Sequence, residues 1–210
     1  MGHKVHPISF RIPYIKTWKS VWFAWKDSYA DYLSIDIKAR EIMKKQLSGI
    51  PVGDVLVSRE ENTLKVVVFT AKAALITGKT GENSEAIERV LTNKLGMKTT
   101  LEIREVKKPD LNANIVGFMV GNQIEKRMPY KRAIKTAIKT AMEKGAKGIK
   151  IKVGGRLNGA EIARKETFKD GNIPTQTIRS DIDYASVRAE TIYGTIGLKV
   201  WIYKGDVYKK

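Results

Sequence analysis

Gly78 and Gly81, three residues apart, sit between two stretches of helical period, and that placement limits how the first half of the chain can fold. Upstream, residues 71–76 read as a short apolar helix. Downstream, Ala86, Ile87, Val90, Leu91 and Leu95 recur on one helical face, and Gly96 is the natural stop. Glycines at such a joint let the backbone come close to a ligand, with neighbouring amides and a helix N-terminus facing an anion. Lys79, followed by Thr80, adds a cation to Gly78-Lys79-Thr80-Gly81. Glu82, Glu85 and Glu88 oppose this, since they favour the helix N-terminus themselves and repel phosphate. A turn with mainly structural duty is therefore the second reading. A nucleotide-binding P-loop is a third, because Gly78-Lys79-Thr80 matches the end of its motif. That motif needs a glycine where Ala73 stands, and a strand leading straight into the loop.

Around this joint the pattern is regular. Ile35, Ala39, Ile42, Met43 and Leu47 form one helical stripe that ends at Ser48-Gly49. Residues 52–58 and 64–70 read as strands joined by the polar turn Glu60-Glu61-Asn62, and 99–106 alternates as a third strand. The order is helix, strand, strand, helix, glycine loop, helix, strand, over residues 17–107. Residues 1–16 carry turn formers and cations, including Lys4 and Arg11, with no sustained period, and read as a basic arm. Trp18, Trp22, Phe23 and Trp25 then read as a hydrophobic anchor for that arm, or as a base-stacking platform.

Lys107-Lys108-Pro109-Asp110 reads as a linker. Residues 108–210 open with helices over 112–127 and 130–144, the second started by Pro129. Strand patterns follow at 148–153, 161–168, 182–190 and 195–203, with turns at Gly171, Pro174 and Gly194. The expected architecture is two helices on a four-stranded antiparallel sheet, making the whole chain α+β. On the second helix, Lys131, Lys135 and Lys139 fall four apart on one ridge with Arg132 beside them. Ala133, Ile134, Ala137, Ile138, Ala141 and Met142 take the opposite side. Unshielded cations at that spacing repel one another, and a polyanion alongside reverses the sign of that cost; a solvated face is the plainer alternative. A second basic group is Arg156, Arg164, Lys165 and Arg179, assigned with Lys4, Arg11 and Lys139 to phosphate contacts with rRNA.

Composition narrows the partners. The 210 residues carry 39 Lys and Arg against 22 Asp and Glu, a net charge of +17. Such self-repulsion suits a phosphate backbone as partner. No run of about 18 apolar residues and no signal-peptide layout is present, so a cytoplasmic chain without a membrane partner is expected. With no cysteine, disulfides and thiolate metal sites are excluded. The only histidines, His3 and His6, lie in the arm and are too few for zinc; no catalytic set, metal or cofactor is expected. Asp181 and Asp183 alternate on one strand and read as ion-pair partners of Arg179 and Arg188.

Taken with the glycine loop, the element order resembles a type II KH domain. More specifically, the whole chain resembles the family of bacterial small-subunit ribosomal protein three. The likeness rests on G-H-K-V-H-P at the start, W-K-S-V-W-F-A at 18–24, G-K-T-G at 78–81 and G-A-K-G-I-K-I-K-V-G-G-R-L-N-G-A-E-I-A-R at 145–164. It extends through D-I-D-Y at 181–184 and Y-G-T-I-G-L-K-V-W-I-Y-K-G at 193–205. The resemblance implies a non-enzymatic structural protein of the subunit head. Such a protein binds rRNA, helps form the channel where mRNA enters, and assists unwinding of structured mRNA. It places Lys131, Arg132 and Lys135 on the positions that line this channel. It also implies small-subunit proteins ten and fourteen as neighbours, with two, four and five nearby, and no homo-oligomer. His3 stands where glutamine is usual, and Ser9 and Pro13 replace glycines common in the arm. The chain stops soon after Gly205, so contacts made by the longer tails of many relatives are expected to be absent. A free KH adaptor for regulatory RNA is the alternative. DNA-lesion nicking, credited to relatives outside bacteria, is a minor one.

Overall fold

The computed structural model of the chain describes residues 4–60, 63–78 and 81–208. His3, the turn residues Glu61 and Asn62, and the loop residues Lys79 and Thr80 lie outside them. The described residues form two compact units, Trp18–Lys107 and a second that joins the arm to the chain from Lys108 onward.

The Trp18–Lys107 unit runs β1 (Ser20–Val21), α1 (Lys26–Gln46), β2 (Val52–Glu60), β3 (Thr63–Thr70), α2 (Ala73–Thr77), α3 (Glu82–Leu95) and β4 (Lys98–Glu105). Its sheet has the order β1-β2-β3-β4, with only the β2–β3 pair antiparallel. The expected stripes meet in its core, where Ala39, Met43, Val57, Val66, Val68, Ile87 and Leu91 are buried.

α1 begins at Lys26, well before the stripe that starts at Ile35. Its first turns point mostly at solvent, so no apolar period announces them. They are propped instead by the Trp22 ring, whose centroid lies 5.5 Å from Tyr29 and 5.9 Å from Tyr32. Buried Asp36 accepts hydrogen bonds from Ser20 Oγ, from Trp22 Nε1 at 3.3 Å and from Arg40 Nε at 2.8 Å. Arg40 also donates to the carbonyls of Val55 and Lys19, so this one node lays β1 along β2. The aromatic anchor is narrower than its sequence implies. Trp18, Phe23 and Trp25 are 67%, 77% and 78% exposed, and only Trp22 packs in.

The second unit holds α4 (Ala113–Glu125), α5 (Tyr130–Glu143), β5 (Gly148–Gly155), β6 (Arg164–Gly171), β7 (Ser180–Thr191) and β8 (Gly194–Asp206). Its sheet is antiparallel throughout, in the order β6-β5-β8-β7. Asn112 starts α4, its side-chain oxygen accepting from the amides of Asn114 and Ile115 at 3.0 and 3.3 Å. Ile149, Ile151 and Val153 alternate inward from β5 and bury fully against the helices with Ile134, Leu198 and Val200. Gly117 sets the helix–sheet distance: a Cβ there would lie 2.8 Å from Val187 Cγ2.

Asp181 and Asp183 do not take the partners their spacing implies. The β7–β8 register shifts between Asp181 and Ile182. Asp181 pairs with Lys16 of the arm at 2.7 Å. Asp183 accepts from the Ala113 amide at 3.1 Å, at the start of α4, and faces Lys204 Nζ at 3.5 Å. Arg179 pairs with Asp206 instead, at 3.2 Å.

The arm is not an independent appendage, and it is Arg11 that ties it down. Arg11 is fully buried, whereas its sequence context reads as a phosphate contact. Nε donates to the Ser180 carbonyl at 2.6 Å and Nη1 to that of Pro7 at 2.8 Å. Nη2 donates to Thr175 and Thr177 at 3.0 Å each, and to Pro174 at 3.3 Å. Burial pushes the guanidinium pKa below its usual value, and the Asp181 carboxylate acts in the other direction. The planar fork meets carbonyls in several directions, which a lysine ammonium cannot do. Arg11→Ala is expected to lower the unfolding free energy by roughly 2–4 kcal/mol, the scale of one or two charge-assisted hydrogen bonds. Arg11→Lys should recover little of it. Denaturant titration of the full chain checks this, and an unchanged midpoint in Arg11→Ala would show that the arm is held by other means.

Candidate nucleic-acid interface

The glycine loop joins α2 to α3. Gly78 has φ +76° and Gly81 has φ +87°, values that L side chains rarely adopt. A Cβ on Gly78 would also press on Asn83 Nδ2 at 3.0 Å, while Gly81 has open space in that direction. Gly81 is itself the N-cap of α3, and no side chain caps that end. The three nearby glutamates separate in space. Glu88 turns away and accepts the Leu101 amide of β4 at 2.7 Å, and Glu85 reaches Arg89 at 3.5 Å. The P-loop reading fails on geometry, since Ala73 begins a helix and no strand feeds the loop.

The ridge on α5 forms as its spacing predicts. Ala133, Ile134, Ile138 and Ala141 are buried, and Lys131, Arg132, Lys135 and Lys139 are exposed. Among the described residues Lys131, Arg132 and Lys135 make no ion pair, whereas Lys139 approaches Glu143 at 3.9 Å. Beside the ridge runs β6, an edge strand. Between them lies an open groove of about 610 Å³, lined by Lys135, Lys139 and Glu143 from α5 and by Phe168 and Asp170 from β6.

The second basic group does not form one surface. Arg156 is folded into its own loop, donating to the carbonyls of Ala160 at 3.0 Å and Tyr193 at 3.4 Å. Arg179 is held by Asp206. Arg164 and Lys165 are neighbours in sequence and so point to opposite sides of β6. Lys4 is exposed, close enough to Lys150 to repel it electrostatically.

Tyr130 fixes where the ridge begins. It is buried at the first turn of α5, and its hydroxyl donates to Glu166 of β6 at 3.0 Å. Burial, followed by the Glu166 contact, raises its pKa above the ordinary 10.0. The neutral phenol is thus favoured in the folded state. Its contribution is complete below the unfolded pKa and is lost as pH rises through the folded one. Tyr130→Phe should cost about 0.5–1.5 kcal/mol at neutral pH. It should also flatten the decline in stability above pH 10. Chemical denaturation at several alkaline pH values tests this, and equal slopes for the two proteins would rule it out.

The glycine-hinged helix pair packed on the β1-β2-β3-β4 sheet puts the Trp18–Lys107 unit among KH-type nucleic-acid-binding domains. The KH domain family model matches residues 38–111, and the model for the C-terminal domain of ribosomal protein S3 matches residues 120–202. Small ribosomal subunit protein uS3 of Acinetobacter baumannii is 45% identical over 207 residues, covering 99% of this chain and 83% of the relative. The protein of the same name from Alcanivorax borkumensis is also 45% identical, covering 99% and 90%. This chain belongs to the small ribosomal subunit protein uS3 family.

Proposed function

We propose that the α5 ridge of Lys131, Arg132 and Lys135 holds mRNA where it enters the small subunit and assists the unwinding of structured messages. The frame is the family: the chain is a structural, non-enzymatic protein of the small ribosomal subunit that binds RNA, and its place is the ribosome. Within that frame rRNA and neighbouring small-subunit proteins are its partners. By resemblance the neighbours are proteins ten and fourteen, with two, four and five nearby, in the cytoplasm. Backbone at Gly78 and Gly81 is proposed as a nucleic-acid clamp, and exposed Lys4 and Lys165 as rRNA contacts.

The observation that carries the ridge reading is exposure without pairing. Three cations project from a helix whose other side is locked in the core, and no described carboxylate neutralises them. Changing all three to alanine keeps helix propensity and the buried stripe. The subunit should therefore still assemble with the variant, and translation through a stable mRNA hairpin should slow while unstructured mRNA is read nearly as before. Failure of the variant to enter the subunit would assign these residues to rRNA. Normal passage through hairpins would reduce the ridge to a solvated face.

The net charge of +17 makes a separate demand on rRNA binding. With about six to ten phosphates contacted, affinity should fall by ~10³ to 10⁵ between about 50 and 200 mM salt. A binding curve indifferent to salt would rule out the backbone-electrostatic account.

A further inference from the structure

The face of the second unit's sheet turned away from α4 and α5 is absorbed by neither the ridge nor the glycine loop. Residues paired across an antiparallel sheet share a face. One rung of the register runs Lys169, Lys150, Trp201, Tyr184. The next runs Thr167, Lys152, Lys199, Ser186, and the third Lys165, Gly154, Gly197, Arg188. Lys150, Lys152, Lys165, Lys169, Arg188 and Lys199 therefore stand on one side of the sheet, with no carboxylate in these rungs. The docked arm adds to it: His6 stacks edge-on against Tyr184 at 4.9 Å.

Directly opposed like charges destabilise a sheet, and here Lys150 faces Lys169 and Lys152 faces Lys199. The strain registers on Lys150, which burial and the ammonium groups of Lys4, Lys152 and Lys169 hold below the usual lysine pKa. A face kept cationic for solubility alone would interleave acids. The other unit does that: Glu102 of β4 takes Lys65 at 3.1 Å and Arg104 at 2.6 Å.

The glycine at the centre is a second, independent sign. Gly197 does not have a positive φ, and a Cβ there would meet only the Gly154 carbonyl at 3.8 Å, an ordinary contact. Neither the backbone nor the packing of this protein requires it. Glycine inside a strand then marks a place where something outside comes close. Gly197 leaves the floor open beside Gly154, where the Lys165 stem lies 3.3 Å from the place of a Cβ, and Lys165 and Arg188 stand on the flanking strands, three strand spacings or roughly 14 Å apart.

We propose that this face is a second RNA-docking surface, on which the sugar–phosphate backbone of folded small-subunit rRNA crosses the Gly154–Gly197 floor between Lys165 and Arg188. The proposal rests on the chain being an RNA-binding subunit protein and adds a surface separate from the α5 ridge.

Three full-length variants decide it: Lys152, Lys165, Arg188 and Lys199 all to Gln; Gly197→Val; and the alanine triple on the ridge. Each is titrated with small-subunit rRNA at several salt concentrations and melted without RNA. The four-site variant should lower the salt slope by about three to four, near one unit per lost phosphate contact. Its melting temperature should hold or rise, because repulsion is relieved. Gly197→Val keeps every charge and should weaken binding without lowering the melting temperature. The ridge variant should keep its rRNA slope. Unchanged slope and affinity in both face variants would overturn the proposal, as would a slope lost only in the ridge variant. Wild-type binding without salt dependence would instead overturn the RNA-binding reading beneath it.

Discussion

The alternation Ile149-Lys150-Ile151-Lys152-Val153 on central strand β5 is what the second unit is built around. The odd positions are wholly buried, and they give α4 and α5 the apolar floor that lets α5 turn a row of unpaired cations outward. The even positions push ammonium groups onto the opposite face, next to those of β6 and β8. Burying side chains of this size is worth about 1.5–3 kcal/mol each, while a like-charge cross-strand pair costs on the order of 0.2–1 kcal/mol. The apolar side of the strand outweighs the charged one, so the unit can hold these cations unneutralised.

Arg11 solves a different problem with the same kind of group. Its charge is withdrawn from solvent and spent on carbonyls of Pro174, Thr175, Thr177 and Ser180, far along the chain. Carbonyls of the loop before β7 and of its first residue face one place and need donors, and a guanidinium supplies several in one plane. The Lys16–Asp181 pair and the His6–Tyr184 contact then fix the rest of the arm along β7. A segment with no periodicity of its own becomes ordered, and it carries Lys4 towards the cationic sheet face.

In the Trp18–Lys107 unit the loop chemistry depends on how carboxylates are disposed. Asp36 and Glu88 are both committed to structure, one to Arg40 and β1, the other to the Leu101 amide. Glu82 and Glu85 remain in the first turn of α3. The anion-facing potential at Gly81 is consequently less opposed than three unengaged acids near the loop would make it.

What the sequence determined by itself is local. Helices α3, α4 and α5, most of the strands, and the alignment of Lys131, Lys135 and Lys139 were all legible, because periods of two and about 3.6 residues are set by neighbours on one element. The first turns of α1 were not, since their support comes from Trp22 and not from an apolar stripe. Nor was the fate of the cations outside α5. Arg11 went to the interior, Arg156 into its own loop, and Arg164 and Lys165 to opposite sides of one strand. The face shared by Lys150, Lys169, Arg188 and Lys199 exists only through the register of four strands. Register is fixed by burying every inward side chain at once, a condition no single segment carries, so only the tertiary structure could decide which charges meet.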